Sequence, residues 1–338
     1  MKKLLAVMLS LMLCVLLMAS CSQPSSTASS QASGTPAAGS GESESCKIAI
    51  VQLVDNGAFT EMREAFIAKM KELGYDEGKT VYDVKNAQGD MSTLNSICAQ
   101  LKNLDYDLVV PIVTPATQAV VNQEIKAPVV FISVTDPAGA GIMTSMDKPD
   151  KNATGTSNIV PVDEIFTLAE KLTPQAKHIG ILYCSGEKNA VLTAEKAKTF
   201  FHANGYTFEE VTVTNSSEVQ QAAQSLAGKV DAIYVPIDST VQSAMAQVVE
   251  AAGTNGIPVY GSDPVMVQSG ALACVSVSNT QLGETSAEMA VQILKGKDVS
   301  EVPAVAMTEY QYVVNSDTAA SLSITLPEED NLVTMKTK

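Results

Sequence analysis

From Cys46 onward, short runs rich in β-branched and aliphatic residues alternate with segments whose apolar positions recur every three or four residues. Residues 47–53 read as a buried strand and Asn56-Gly57 as a turn. Residues 59–73 read as an amphipathic helix in which Met62, Phe66, Ile67 and Met70 share a face, with Gly74 as its stop. The same pattern predicts strands over 81–84, 107–113 and 129–132, helices over 91–104 and 115–125, and a loop over 133–149. A second series begins near Pro161. It predicts helices over 162–172, 187–204, 217–228, 241–252 and 282–296, and strands over 178–183, 207–213, 231–235, 258–261 and 271–277. Such alternation builds parallel sheets covered by helices on both faces. The expected fold is therefore α/β, with two Rossmann-like lobes of similar size facing each other across a cleft.

Before Cys46 the pattern changes. Lys2 and Lys3 precede an apolar run over residues 4–18, which stops at Ala19, Ser20 and Cys21, the layout of an export signal. The run falls short of the roughly 20 residues that span a bilayer comfortably. Met18-Ala19-Ser20-Cys21 resembles a bacterial lipobox, in which the cysteine is diacylated and becomes the mature N-terminus. An ordinary secretory signal and an uncleaved anchor are the alternatives, and all three place the rest of the chain outside the cytoplasm. Residues 22–45 hold no aromatic and no large aliphatic residue, so they cannot bury enough apolar area to offset the entropy of ordering. They are expected to form a tether with a root-mean-square span of roughly 25 to 30 Å.

Composition narrows the class. With 46% hydrophobic and 17% charged residues, the body is that of a globular protein, and its length exceeds one typical core. A formal net charge of -15 would repel nucleic acid and anionic lipid surfaces. Of the cysteines that would remain after export and acylation, Cys46, Cys98, Cys184 and Cys274 form no close pair in sequence, and Cys98 and Cys274 lie in apolar segments as small core residues do. The two histidines, His178 and His202, join no cluster with zinc spacing, so no metal site is expected. Catalysis has no support either: the chain lacks a G-x-S-x-G elbow, a P-loop and an H-E-x-x-H pair, and Gly139-Ala140-Gly141 lacks the third glycine of a dinucleotide fingerprint. No enzyme activity and no cofactor are expected.

Ligands of open α/β sheets sit at the carboxyl ends of the strands, which directs attention to the loops there. These are residues 55–58, 114–117 and 133–137 in the first series, and 184–189, 236–240 and 262–264 in the second. Most combine a small or hydroxyl residue with a helix start, equipment suited to an anionic group and equally to helix capping. Asp136, Glu187, Asp238 and Asp263 could hold a ligand cation or serve as caps. Hydroxyls and helix amides beside one buried carboxylate would suit a zwitterion such as an amino acid.

The same loops carry a family resemblance. N-A-Q-G-D (86–90), T-P-A-T-Q-A (114–119), T-D-P-A-G-A-G (135–141), T-G-T-S-N (154–158), V-T-N-S-S-E-V-Q-Q-A-A-Q-S-L (213–226) and V-D-A-I-Y-V-P-I-D-S-T-V (230–241) resemble the ABC-transporter substrate-binding lipoproteins related to the tryptophan/tyrosine uptake type. The chain departs from many relatives at two cleft loops. Asp55-Asn56-Gly57 replaces an acidic-His-Pro turn, and Cys184-Ser185-Gly186-Glu187 an Asn-Pro-Gly-Glu turn.

The resemblance implies a type I periplasmic-binding-protein fold, two lobes joined by a three-crossing hinge. The domain map expected from it is a signal over 1–20, Cys21 and a linker to 45, lobe one over 46–158 plus 276–304, and lobe two over 159–275 plus 305–330. The implied function is capture of a small solute, an aromatic amino acid by analogy with relatives, and its delivery to an ABC permease and ATPase. The protein is expected to be a monomer held on the extracytoplasmic side of the membrane by its lipid, without nucleic-acid partners. A sensor or adhesin of the same fold, or a nucleoside or sugar receptor, is the alternative. In the amino-acid reading the carboxylate docks on Thr114, Thr117 and Thr135, and the ammonium on Asp238 or Asp263. Asn56, Asp136, Asn189 and Ser239 are further polar contacts, and Phe59 is an aromatic wall or a core residue.

Overall fold

The computed structural model describes residues 45–76, 78–328 and 331–338. The expected export signal, Cys21 and the tether up to residue 44 lie outside them. The chain runs through β1 (Cys46–Gln52), α1 (Gly57–Glu72), β2 (Thr80–Asn86), α2 (Met91–Leu101), β3 (Leu108–Pro111), α3 (Val113–Val121), β4 (Val129–Val134) and β5 (Ala153–Asn158). It continues with α4 (Val162–Leu172), β6 (His178–Cys184), α5 (Lys188–Ala203), β7 (Thr207–Val213), α6 (Val219–Leu226) and β8 (Ala232–Tyr234). Then come α7 (Ser239–Ser243), α8 (Met245–Gly253), β9 (Val259–Tyr260), α9 (Pro264–Gln268) and β10 (Ala273–Ser276). The last elements are α10 (Asn279–Leu294), β11 (Val305–Met307), β12 (Gln311–Asn315), α11 (Ser316–Ser321) and β13 (Leu332–Met335).

The strands form two sheets, of order β11-β5-β4-β3-β1-β2 and β13-β12-β10-β9-β8-β6-β7. Every pairing in the first is parallel, and in the second only β10 with β12 is antiparallel. Period-two alternation along each strand sends neighbouring residues to opposite faces. Ile48, Ile50, Leu108 and Val110 pack under α1 and α10, while Ala49, Val51 and Val109 pack under α2 and α3. In the second sheet Ile179 and Ile181 meet α4 and α5, and Leu182 and Ile233 meet α6 and α8. Each fully buried aliphatic or aromatic side chain contributes roughly 1.5 to 3 kcal/mol relative to exposure. Two double-faced cores therefore make two lobes, one on each sheet.

Helix α1 illustrates how local sequence sets these elements. Asn56 caps its start by accepting the Phe59 amide, and Ala58, Phe59, Met62, Phe66 and Met70 are its buried residues. Gly74, at φ 98°, closes it with a Schellman turn in which its own amide donates to Lys71 O and the Tyr75 amide to Met70 O.

The chain passes between the sheets three times, after β5, after β10 and after β11. The third passage falls later than expected. Val305–Met307 pairs in parallel with Thr156, Ser157 and Asn158, so its backbone hydrogen bonds hold it in the first lobe, and the second lobe takes up the chain again at Gln311. That lobe also runs past the expected end at 330, because β13 pairs with β12. The helix expected over 241–252 is two helices, separated at Ala244, whose φ of -112° leaves helical geometry.

Strand β5 lies within the stretch after residue 149 for which the hydrophobic pattern predicts nothing. Its sequence is A-T-G-T-S-N and all six residues are buried. The hydroxyls are satisfied internally: Thr154 Oγ1 donates to Val302 O at 2.7 Å, and Thr156 Oγ1 pairs with Ser286 Oγ at 3.0 Å. Gly155 at φ 152° lets β4 approach, since a Cβ there would fall 2.0 Å from Phe131 O.

Candidate functional site

Loops at the carboxyl ends of strands from both sheets enclose a small cavity of about 20 Å³, room for about one water molecule with the loops in this position. The first lobe contributes Ala58, Phe59, Met62, Val113, Ser133 and Thr135. The second contributes Asn189, Ile237, Asp238, Ser239, Gln242 and Asp263. No Lys, Arg or His lines it. The first wall is mainly apolar with two hydroxyls, and the second is mainly polar and acidic.

On the first wall, Val113 at the start of α3 and Ser133 in β4 each follow a residue of the Ile112–Ile132 bridge, with φ of 61° and 64°. A β-branched residue at positive φ is a real outlier, and such strain persists where the surroundings enforce it, commonly at ligand clamps. At Ser133 strand β5 does the enforcing. Thr156 Oγ1 accepts the Ser133 amide at 3.1 Å, Ser157 Oγ donates to Thr135 O at 3.4 Å, and Asn158 Nδ2 reaches Ser133 Oγ at 3.5 Å. The polar strand thus sets the two hydroxyl-bearing residues of the cavity from behind. Helix α3 starts beside them without a side-chain cap.

The acids of the second wall divide by what holds them. Asp238 accepts the Val241 amide on Oδ1 at 2.7 Å and the Cys184 amide on Oδ2 at 2.5 Å, so both oxygens bind the scaffold. Glu187 accepts the Ser239 amide, the Thr240 amide and the Thr240 hydroxyl. Burial, reinforced by the Glu187 charge, pushes the Asp238 carboxyl well above the usual range. In Asp263 only Oδ1 is engaged by the backbone, through the Val265 amide at 2.8 Å, with Gln242 Nε2 at 3.5 Å and the Asn279 side chain nearby. Burial pushes its carboxyl up to about 6. A buried carboxylate without a cation is costly, and a cationic ligand group would relieve it.

Of the residues singled out from sequence, Thr135, Asn189, Asp238, Ser239 and Asp263 line the cavity. Asn56 stands beside it as the α1 cap, its Nδ2 buried and without a partner. Thr114, Thr117 and Asp136 do not reach the wall. The Thr117 hydroxyl donates to Val113 O within its own helix, Thr114 Oγ1 accepts the Thr135 amide, and Asp136 closes a turn onto the Gly139 amide. Phe59 lines the cavity and packs in the core beneath. Gln242 joins them on the wall, four residues after Asp238 on the same helical face. Val113, Met62 and Ile237 carry no polar signal and became site residues only through folding.

The ABC transporter substrate binding protein family model matches residues 47–337. A tyrosine-binding protein of Clostridioides difficile is 36% identical over 290 residues, covering 86% of this chain and 84% of the relative. A solved domain from Streptococcus pneumonia in complex with L-Trp is 33% identical at a TM-score of 0.82, over 84% of this chain and 97% of that one. A ligand-free, open substrate-binding protein with adhesive properties from Clostridium difficile is 36% identical but has a TM-score of 0.67, over 87% of this chain and 100% of that one. The better fit to the ligand-holding structure accords with the direct contacts between the lobes seen here. The chain belongs to the ABC transporter substrate binding protein family and has the type I periplasmic-binding-protein fold.

Proposed function

We propose that this extracytoplasmic substrate-binding protein is a lipid-anchored receptor that closes on an aromatic amino acid and hands it to the permease of an ABC importer. The observation that carries the reading is Asp263, a buried carboxylate on the cavity wall with no cation beside it. The solute ammonium docks on Asp263, while Asp238, already saturated by backbone amides, holds the wall in place. The solute carboxylate lies toward Ser133 and Thr135, the hydroxyls of the opposite lobe, with the unpartnered Asn56 Nδ2 as a further donor. Ala58, Phe59, Met62 and Val113 give its ring an apolar seat. The tyrosine-binding relative and the L-Trp complex support the same solute class. Because the wall residues come from both lobes, the solute binds the closed arrangement better than the open one and draws the equilibrium toward closure.

Titration calorimetry on the full chain with L-Trp, L-Tyr, L-Phe, L-Leu, ribose and adenosine tests this. Saturable binding of at least one aromatic amino acid is expected; binding of ribose or adenosine alone would overturn it. For the anchor, palmitate labelling in cells should mark the parent chain and not Cys21→Ser, and equal labelling of both would refute acylation at Cys21.

A further inference from the structure

Asn189 presents an acceptor to the cavity that nothing in the fold satisfies. The residue is buried and lies in the first turn of α5, and its Nδ2 donates to Ile237 O at 2.7 Å. That bond fixes the amide, because the backbone oxygen can only accept and therefore holds the NH2 end. Oδ1 is thereby turned the other way, where it is buried without a partner, and Asn189 lines the cavity.

The sheet places this acceptor far from the ammonium site. Asn189 follows β6 and Asp263 follows β9, with β8 between these two strands. Two strand spacings separate the ends of those strands by about 10 Å. An extended aromatic amino acid spans that distance from its ammonium to the far edge of its ring, with a hydrogen bond at each end.

We infer that Asn189 Oδ1 receives a hydrogen bond from a ring-borne donor of the solute, a phenol O–H or an indole N–H, and so selects tyrosine- or tryptophan-like solutes over phenylalanine. The inference rests on the amino-acid reading proposed above and adds the group the side chain must carry. A site with a buried acceptor discriminates against the analogue that lacks the donor, because that analogue leaves the acceptor desolvated and unpaired.

The test is calorimetry with L-Tyr, L-Trp and L-Phe on the full chain and on Asn189→Ala, with thermal unfolding of both to check the fold. In the parent, L-Tyr or L-Trp should bind at least about tenfold more tightly than L-Phe. In Asn189→Ala that ratio should fall to within about threefold, chiefly through weaker binding of the donor-bearing solute. Equal affinities for all three solutes in the parent would overturn the inference without needing the variant. So would a ratio that survives Asn189→Ala. If none of the three binds the parent, the amino-acid reading itself fails and this inference falls with it.

Discussion

Gly57 and Val265 stand on opposite lobes and touch: a Cβ placed on Gly57 would lie 3.2 Å from Val265 Cγ1 and 3.3 Å from Cγ2. Gly57 opens α1 and Val265 lies in α9, two residues after Asp263. Its φ is not in the left-handed region, so an alanine there suits the helix and conflicts only with closure. Gly57→Ala should weaken solute binding by about tenfold, a cost of roughly 1.4 kcal/mol, with thermal stability of the empty protein unchanged. Adding Val265→Ala should restore most of the loss. Calorimetry on the two variants decides it, and full affinity in Gly57→Ala would remove the contact from the closing mechanism.

Binding should depend on acidity through Asp263. Its folded value of about 6 lies above that of a free carboxyl, through burial first and the Glu61 charge as a minor contribution. The ammonium needs the ionised form. Affinity should therefore be flat above about pH 7 and fall toward about tenfold per unit well below pH 6. In the empty protein the sign is opposite: a raised carboxyl stabilises the fold fully below its unfolded value near 4, and that contribution is lost as pH rises through 6. A shift of about two units corresponds to about 3 kcal/mol. Asp263→Asn should remove both trends, measured as the difference between parent and variant in calorimetry and urea unfolding; identical pH profiles would contradict the assignment.

Asp238 and Asp263 should separate under truncation. Asp238→Ala leaves the buried amides of Cys184 and Val241 without their acceptor, and each orphaned donor costs about 1 to 3 kcal/mol. A stability loss of about 2 to 4 kcal/mol at pH 7 is expected in urea unfolding. Asp263→Ala loses one capping bond but also an uncompensated buried charge, so its stability should stay within about 1 kcal/mol of the parent. Its solute affinity should fall by about a hundredfold or more. The reverse pattern would exchange their roles.

Within the first lobe, α1 and α10 cross at Gly283, where a Cβ would come within 2.4 Å of Met62 O and 3.0 Å of Phe66 N. Gly283→Ala must push the helices apart and should cost about 2 to 3 kcal/mol despite the better helix propensity of alanine. Because Met62 also lines the cavity, the displacement should weaken solute binding as well. Chemical unfolding and calorimetry on the same variant check both effects.

Strand β5 shows where pattern reading stops. Alternating or continuous apolar runs revealed the strands whose faces meet helices, because transfer of apolar area from water imposes itself on the sequence directly. A-T-G-T-S-N has no such run, and its burial depends on partners such as Val302 O and Ser286, distant in the chain. The late position of the third passage has the same origin, since β11 joins the first sheet only by pairing with β5.

The candidate site divides along the same line. The spacing of helices, strands and caps along the chain carries the two-lobed α/β architecture and the loops that face the cleft, because periodic burial and capping are local demands. Which of those loop residues meet a solute is a matter of direction. Thr117 turns its hydroxyl into its own helix, Asp238 is saturated by the amides around it, and Asp263 is left with a charge to be answered. Asn189 keeps an open acceptor because Ile237 O, 48 positions along the chain, holds its other end. The Thr117 bond is local to its helix, but the Cys184 amide on Asp238 and Ile237 O on Asn189 are partners that only folding brings within 3 Å, and no local run of residues encodes them.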